Sequence, residues 1–292
     1  MSTTTLVTQK TVGTPAPLPH TLARTTTLVL MAFAAVYLVW GSTYLAIQIG
    51  IESFPPLILA GLRHITVGLL LYPILRRKTG IRPTAANWRT AVVTGALLLF
   101  VGNGGVSWAE QTVPSGIAAL LVGPAHLGGS ERVDPRGAAV LVVASLAWAC
   151  GSLYSKHGGM PNSPMLGVAM QSFAGGVILL IAGLFAGEFH ALHLGTILHR
   201  SWLALAYLIV FGSGIGFSAY IYILHKSTAA RVATYAFVNP VVALFLGWLI
   251  AGETITLRTV IAAAVILTAV ILVITAPHPA PVTDPVPAPG EV

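Results

Sequence analysis

The chain has 292 residues, of which 55% are hydrophobic and only 8% charged, and its mean hydropathy is +0.85. A soluble domain carries about 25% charged residues, so this chain lacks the groups to coat a water-facing surface. Its net charge of +7 would suggest nucleic acid in a soluble protein, but no basic stripe with interleaved aromatics occurs, which excludes that partner.

Apolar runs of the length that crosses a bilayer recur throughout, and none shows the ten-residue alternation of a membrane β-barrel. The fold class is therefore an all-α polytopic membrane protein. Residues 1–26, rich in Thr and Pro, read as a disordered cytoplasmic tail. The apolar run that follows is too long for a signal-peptide core.

Eight full spans are expected, near 28–49, 56–75, 90–108, 138–156, 165–187, 202–224, 230–251 and 257–275. A short run at 113–122 is left over. It opens a stretch, GIAALLVGPAHLGG, that starts like a membrane helix and stops within about ten residues, half of what a span needs. Residues 277–292 form a Pro-rich disordered tail. Cys150, the single cysteine, lies inside an apolar run and reads as a small packing residue, so neither a disulfide framework nor a metal cluster is expected.

Orientation follows from Lys and Arg. With the N-terminus cytoplasmic and the short run not crossing, ten basic residues fall inside and four outside, with Arg63 within a span. That is the bias of inner-membrane proteins, and it places both termini in the cytoplasm. Letting the short run cross would put Lys156, Lys226 and Arg231 outside.

The spans repeat. Trp40-Gly41-Ser42-Thr43-Tyr44 in the first is echoed by Trp148, Gly151, Ser152 and Tyr154 in the fourth. LAGLRHITVGLL in the second parallels VAMQSFAGGVIL in the fifth, with Arg63 matching Gln171 and Gly68 matching Gly176. The third and its sequel QTVPSGIAALL parallel the sixth followed by HKSTAARVATY. The second copy then continues through AFVNPVVALFLGWLIAGE and one more helix, whereas the first has neither, and LLVGPAH resembles the end of that last helix, LVITAPH. About 40 residues are thus missing from the first copy, and the short run is a seam. Two odd-numbered repeats lie in opposite orientations, the inverted pattern of secondary transporters.

WGSTYLAIQIGIESFPPLILAGLRHITVGLLL resembles the opening of an EamA-type member of the drug/metabolite transporter superfamily, and NPVVALFLGWLIAGE resembles the ninth helix of such proteins. The resemblance covers residues 28–122 and 136–276. It implies ten helices in two five-helix inverted repeats, from which this chain lacks most of helix four and helix five. The domains are then a shortened first repeat, 27–135, and a complete second repeat, 136–276.

Arg63 sits about eight residues into its span, roughly 12 Å deep, where a charged side chain costs about 2.5–3.5 kcal/mol on insertion scales. It either lines the pathway and attracts a carboxylate or carbonyl of substrate, or reaches the interface and braces helices. His64 beside it reads as a packed, hydrogen-bonded histidine. Trp40, Ser42 and Tyr44, with Trp148, Ser152 and Tyr154, form either a cavity wall or a helix-packing seam. Gln171, Asn103, Tyr235 and Asn239 are further pathway candidates, and Pro240 is a kink and candidate hinge. Glu110 is either a gate or proton site or, the favoured reading, an exposed carboxylate at a helix end, as Glu52 and Glu253 are, which leaves proton coupling through a buried acid with little support.

The reading is a secondary transporter that exports small metabolites, such as amino acids or drug-like amphiphiles, by alternating access. The competing reading is a transport-inactive remnant acting as a membrane or interaction protein. No catalytic constellation or phosphate-binding loop appears in the spans, so no enzyme, cofactor or metal is expected. The partners are the lipid bilayer, a small-molecule substrate and, as one way to replace the lost helices, a second copy in a homodimer.

Overall fold

The computed structural model describes residues 19–113 and 134–251, together with 260–261, 263–265, 267–268 and 271–272. Among these residues seven helices are long and apolar enough to span a membrane: α1 (Thr26–Ile51), α2 (Pro56–Thr79), α3 (Ala85–Ala109), α4 (Pro135–His157), α5 (Pro164–Phe185), α6 (His199–Lys226) and α7 (Ala230–Ile250). They match the first seven expected spans. The eighth falls largely outside the described residues, and those of its residues that are described are helical. The stretch around the seam lies at 114–133, also outside them.

Local sequence sets the helix ends. Pro56, Pro135 and Pro164 stand in the first turn of α2, α4 and α5, where a missing N–H costs nothing. Thr84 and Asn87 close a reciprocal capping box on α3, and the Asp134 carboxylate accepts from Arg136 N–H at 3.2 Å to start α4. That N–H holds the Asp134 carboxyl below the usual carboxylate range. Gly80, at φ 66°, ends α2 in the left-handed conformation behind Arg76, Arg77 and Lys78, whose charges suit a helix C-terminus. The first helix reaches back to Pro19, into the stretch expected to be tail, because no proline or glycine interrupts it before Gly41.

Four helices form the centre. In the most apolar stretch of α2, α3, α5 and α6, 44–56% of residues are buried, against 28% in α1, α4 and α7, which line the rim. The tightest crossing joins α2 to α5. A Cβ on Gly68 would stand 2.4 Å from the Phe173 backbone N, and one on Gly176 would stand 2.4 Å from the Ile65 backbone N. Such close backbone approach requires glycine on both sides. The four positions pair by one offset: 65 with 173 and 68 with 176 are each 108 apart.

Cys150 is exposed on α4 rather than packed, alongside the outward Val143, Leu146 and Leu153. Its surroundings face the rim because α4 makes its contacts through Leu141, Ala144, Ala147 and Gly151, one stripe at helical spacing.

Candidate functional site: a cavity among five helices

Three helices depart from α geometry at related places. Val36–Trp40 in α1, Gly95–Gly104 in α3 and Leu208–Gly216 in α6 wind as wider π-helical turns. Such turns add a residue per turn and redirect side chains, and they recur at functional sites. Here they present Trp40 and Asn103 to a shared interior. They also expose the Gly212 carbonyl, which accepts from the Trp40 indole N–H at 3.1 Å.

Each of the two repeated tryptophans seats in a glycine of the other half. A Cβ on Gly216 of α6 would stand 2.5 Å from Trp40 Nε1, and one on Gly102 of α3 would stand 2.7 Å from Trp148 Cε3. Trp40, Trp148, Tyr220 and Tyr235 then cluster, with ring centroids 4.9–5.7 Å apart.

Beside this cluster lies a cavity of about 70 Å³, several times the roughly 10–15 Å³ that one water needs. Seven of the residues the sequence singled out line it: Trp40, Tyr44, Arg63, Asn103, Trp148, Tyr235 and Asn239. They come from α1, α2, α3, α4 and α7. Arg63 is 3% exposed. Its Nη2 donates to Asn103 Oδ1 at 2.5 Å and its Nε to His64 Nε2 at 3.3 Å, while Nη1 completes no hydrogen bond. Asn239 Oδ1 is likewise buried without a partner. An unfilled donor and an unfilled acceptor thus belong to side chains of one interior space.

The other expected residues stand elsewhere. Ser42 bonds Tyr207 Oη and the Val39 carbonyl. Ser152 bonds Tyr220 Oη and the Trp148 carbonyl, behind the aromatic cluster. Gln171 is buried between α4 and α5, donating to Ser155 Oγ at 3.1 Å. Tyr154 is 38% exposed on the rim. Pro240 lies within α7, next to Asn239. Thr43, Ile47, Gly102, Val106, Ala144 and Ser145 also line the cavity without having been singled out. Thr43 and Ser145 share a helix face with Trp40 and Trp148 by helical spacing, the one signal that could have found them.

The acids need one correction. Glu52 is exposed and pairs with Arg200, as expected of a helix-end carboxylate. Glu253 lies outside the described residues. Glu110, expected to be exposed, is 6% exposed. The reason is tertiary: Ala109 and Val113 on either side of it pack with Tyr44, Leu141 and Ala243, so three other helices close over the end of α3.

The EamA-like transporter family matches this chain twice, over residues 26–124 and 135–275, and the first match is shorter by about 40 residues. The uncharacterized inner membrane transporter YedA of Escherichia coli is 37% identical over 277 residues, covering 83% of this chain and 89% of that protein. Since 83% of 292 is about 242, YedA carries about 35 residues in the matched region with no counterpart here. The uncharacterized transporter YvbV of Bacillus subtilis is 25% identical over 292 residues, covering 86% of this chain and 92% of that one. A solved crystal structure superposes with a TM-score of 0.62 at 19% identity, covering 85% of this chain and 97% of its own, a likeness of fold. Seven apolar spans and these matches make the chain a multi-pass membrane protein of the EamA-like transporter family, in the drug/metabolite transporter superfamily.

Proposed function

We propose that the chain is a secondary carrier that exports small metabolites, amino acids or drug-like amphiphiles among them, by alternating access across the inner membrane. Its pathway runs through the cavity between two inverted repeats, 27–135 and 136–276, and both termini face the cytoplasm. The observation that carries this reading is the Arg63 guanidinium, buried at the cavity wall with Nη1 unfilled beside the unfilled Asn239 Oδ1. A carboxylate or carbonyl of substrate satisfies the first, and an amine or hydroxyl the second.

The reciprocal seats support the repeats. Trp40 meets the third helix of the second repeat at Gly216, and Trp148 meets the third helix of the first at Gly102. The antiparallel Gly68–Phe173 and Ile65–Gly176 contacts obey the same exchange.

The deficit of about 35 residues against YedA favours a second reading, a carrier core that no longer transports and persists as a membrane or interaction protein. Purified protein in liposomes, offered a panel of labelled amino acids and metabolites, separates the two. Saturable flux that Arg63→Ala abolishes supports the carrier. Absence of flux, with flux restored when the missing helices of YedA are spliced in after Val122, supports the remnant.

A further inference from the structure

Glu110 has no task in that pathway, yet its position demands one. It lies one residue beyond α3, is 6% exposed, and both of its carboxylate oxygens are buried without a hydrogen-bond partner. A sealed carboxylate with no donor is among the costliest groups a protein can hold. Two things relieve it: a proton on the carboxylate, or contact with a cation.

Among the described residues the groups around it are few. Tyr44 on α1 packs with Ala109 and Val113, which flank it. From α2 come Arg63, which interacts with it electrostatically without forming an ion pair, and His64 behind Arg63. Packed against the same end of α3, α4 offers Leu141 and Val140. The charged groups at the start of α4 are Asp134, bonded to Thr112 Oγ1, and Arg136. From α7 comes Ala243, on a helix with no Asp, Glu, Lys, Arg or His between Tyr235 and Ala251. Among the described residues Arg63 is therefore the cation within electrical reach, and in this state Asn103 and His64 hold it toward the cavity.

We propose that Glu110 is a proton-exchange site that governs Arg63. With the carboxyl protonated, the guanidinium stays on Asn103 and serves the cavity. When the carboxyl O–H releases its proton to water at the outer face, the resulting carboxylate competes for the Arg63 Nη1 and draws it away from substrate. One proton bound and one released per cycle balance the step with no further reactant. Proton and substrate would thus be bound together and released together, so that each favours the binding of the other. This rests on the pathway reading above for Arg63, but the protonation of Glu110 is testable without it.

The experiment has two arms, both on the full chain in lipid. Infrared difference spectra of the carboxyl C=O stretch are recorded from about pH 5 to about pH 8, where ordinary carboxyls are largely ionised. The expected result is a protonated-carboxyl band that fades as pH rises, is missing in Glu110→Gln, and in Arg63→Ala persists to higher pH because the neighbouring positive charge is gone. No such band, or one retained in Glu110→Gln, overturns the proposal. In the second arm, liposomes containing a trapped pH dye are offered labelled amino acids under an imposed pH gradient. Flux that responds to the gradient in the wild type and not in Glu110→Gln supports coupling, and an unchanged response in the variant overturns it. Absence of wild-type flux removes the carrier reading alone, because the infrared arm still decides Glu110.

Discussion

Two of the three Arg63 nitrogens are engaged, one by a neighbour in sequence and one by Asn103 across the α2–α3 interface, and it is the third that gives the residue a use beyond bracing. Arg63→Lys keeps the charge but not the planar fork, so it is expected to retain less than a tenth of wild-type flux, about 1.4 kcal/mol or more of lost interaction, read in the liposome assay. At Gly102 the expected effect is optical. A Cβ there collides with the Trp148 ring at 2.7 Å, so Gly102→Ala shifts the indole and with it the tryptophan emission. At Asp134 the effect is in pH. Its carboxyl is held below the usual range by Arg136 N–H, so its contribution to stability is present above the ordinary carboxylate pKa and is lost as pH falls through the folded-state value. Thermal melts should show that acid loss in the wild type and less of it in Asp134→Asn. Arg63 was legible in the sequence because a charge inside an apolar run has few explanations. The burial of Glu110 was not, because hydropathy places it at a span end and only the convergence of α1, α4 and α7 buries it.

Between elements, glycine decides how near two helices lie. Gly68 and Gly176 meet backbone rather than side chain, so no rotamer change relieves a larger residue there. Overpacking of this kind typically costs about 1–3 kcal/mol, and Gly68→Leu is expected to lower the melting temperature in detergent well below that of Gly195→Ala, where an added Cβ meets nothing. The spans themselves were readable to within a few residues from apolar runs flanked by Pro, Ser, Thr and Asp caps. The π-helical turns were not. They depend on which carbonyls lose their partners once helices pack, and periodicity at 3.6 residues is blind to them. Ser42, just past one of these turns, and Ser152, on the regular helix α4, were expected at the cavity and instead brace tyrosines one layer behind it.

At the scale of the molecule, the repeat was visible because Trp-Gly-Ser and its echo are rare combinations, whereas the seam itself, within 114–133, lies outside the described residues. Splicing in the segment that YedA carries and this chain lacks should raise thermal stability, since backbone and polar groups near the seam regain neighbours, and a melt of the two forms checks it. The rim helix α4 offers a way to watch the assembly itself. Its Cys150 is the chain's single thiol and it is exposed, so the native protein is already a single-cysteine variant. A spin label placed there needs no background mutations, and its polarity reading measures directly whether this face of α4 looks at lipid or at a neighbour. Should two copies associate along α4, the paired labels would broaden each other's spectra, and the protein would report its own dimer.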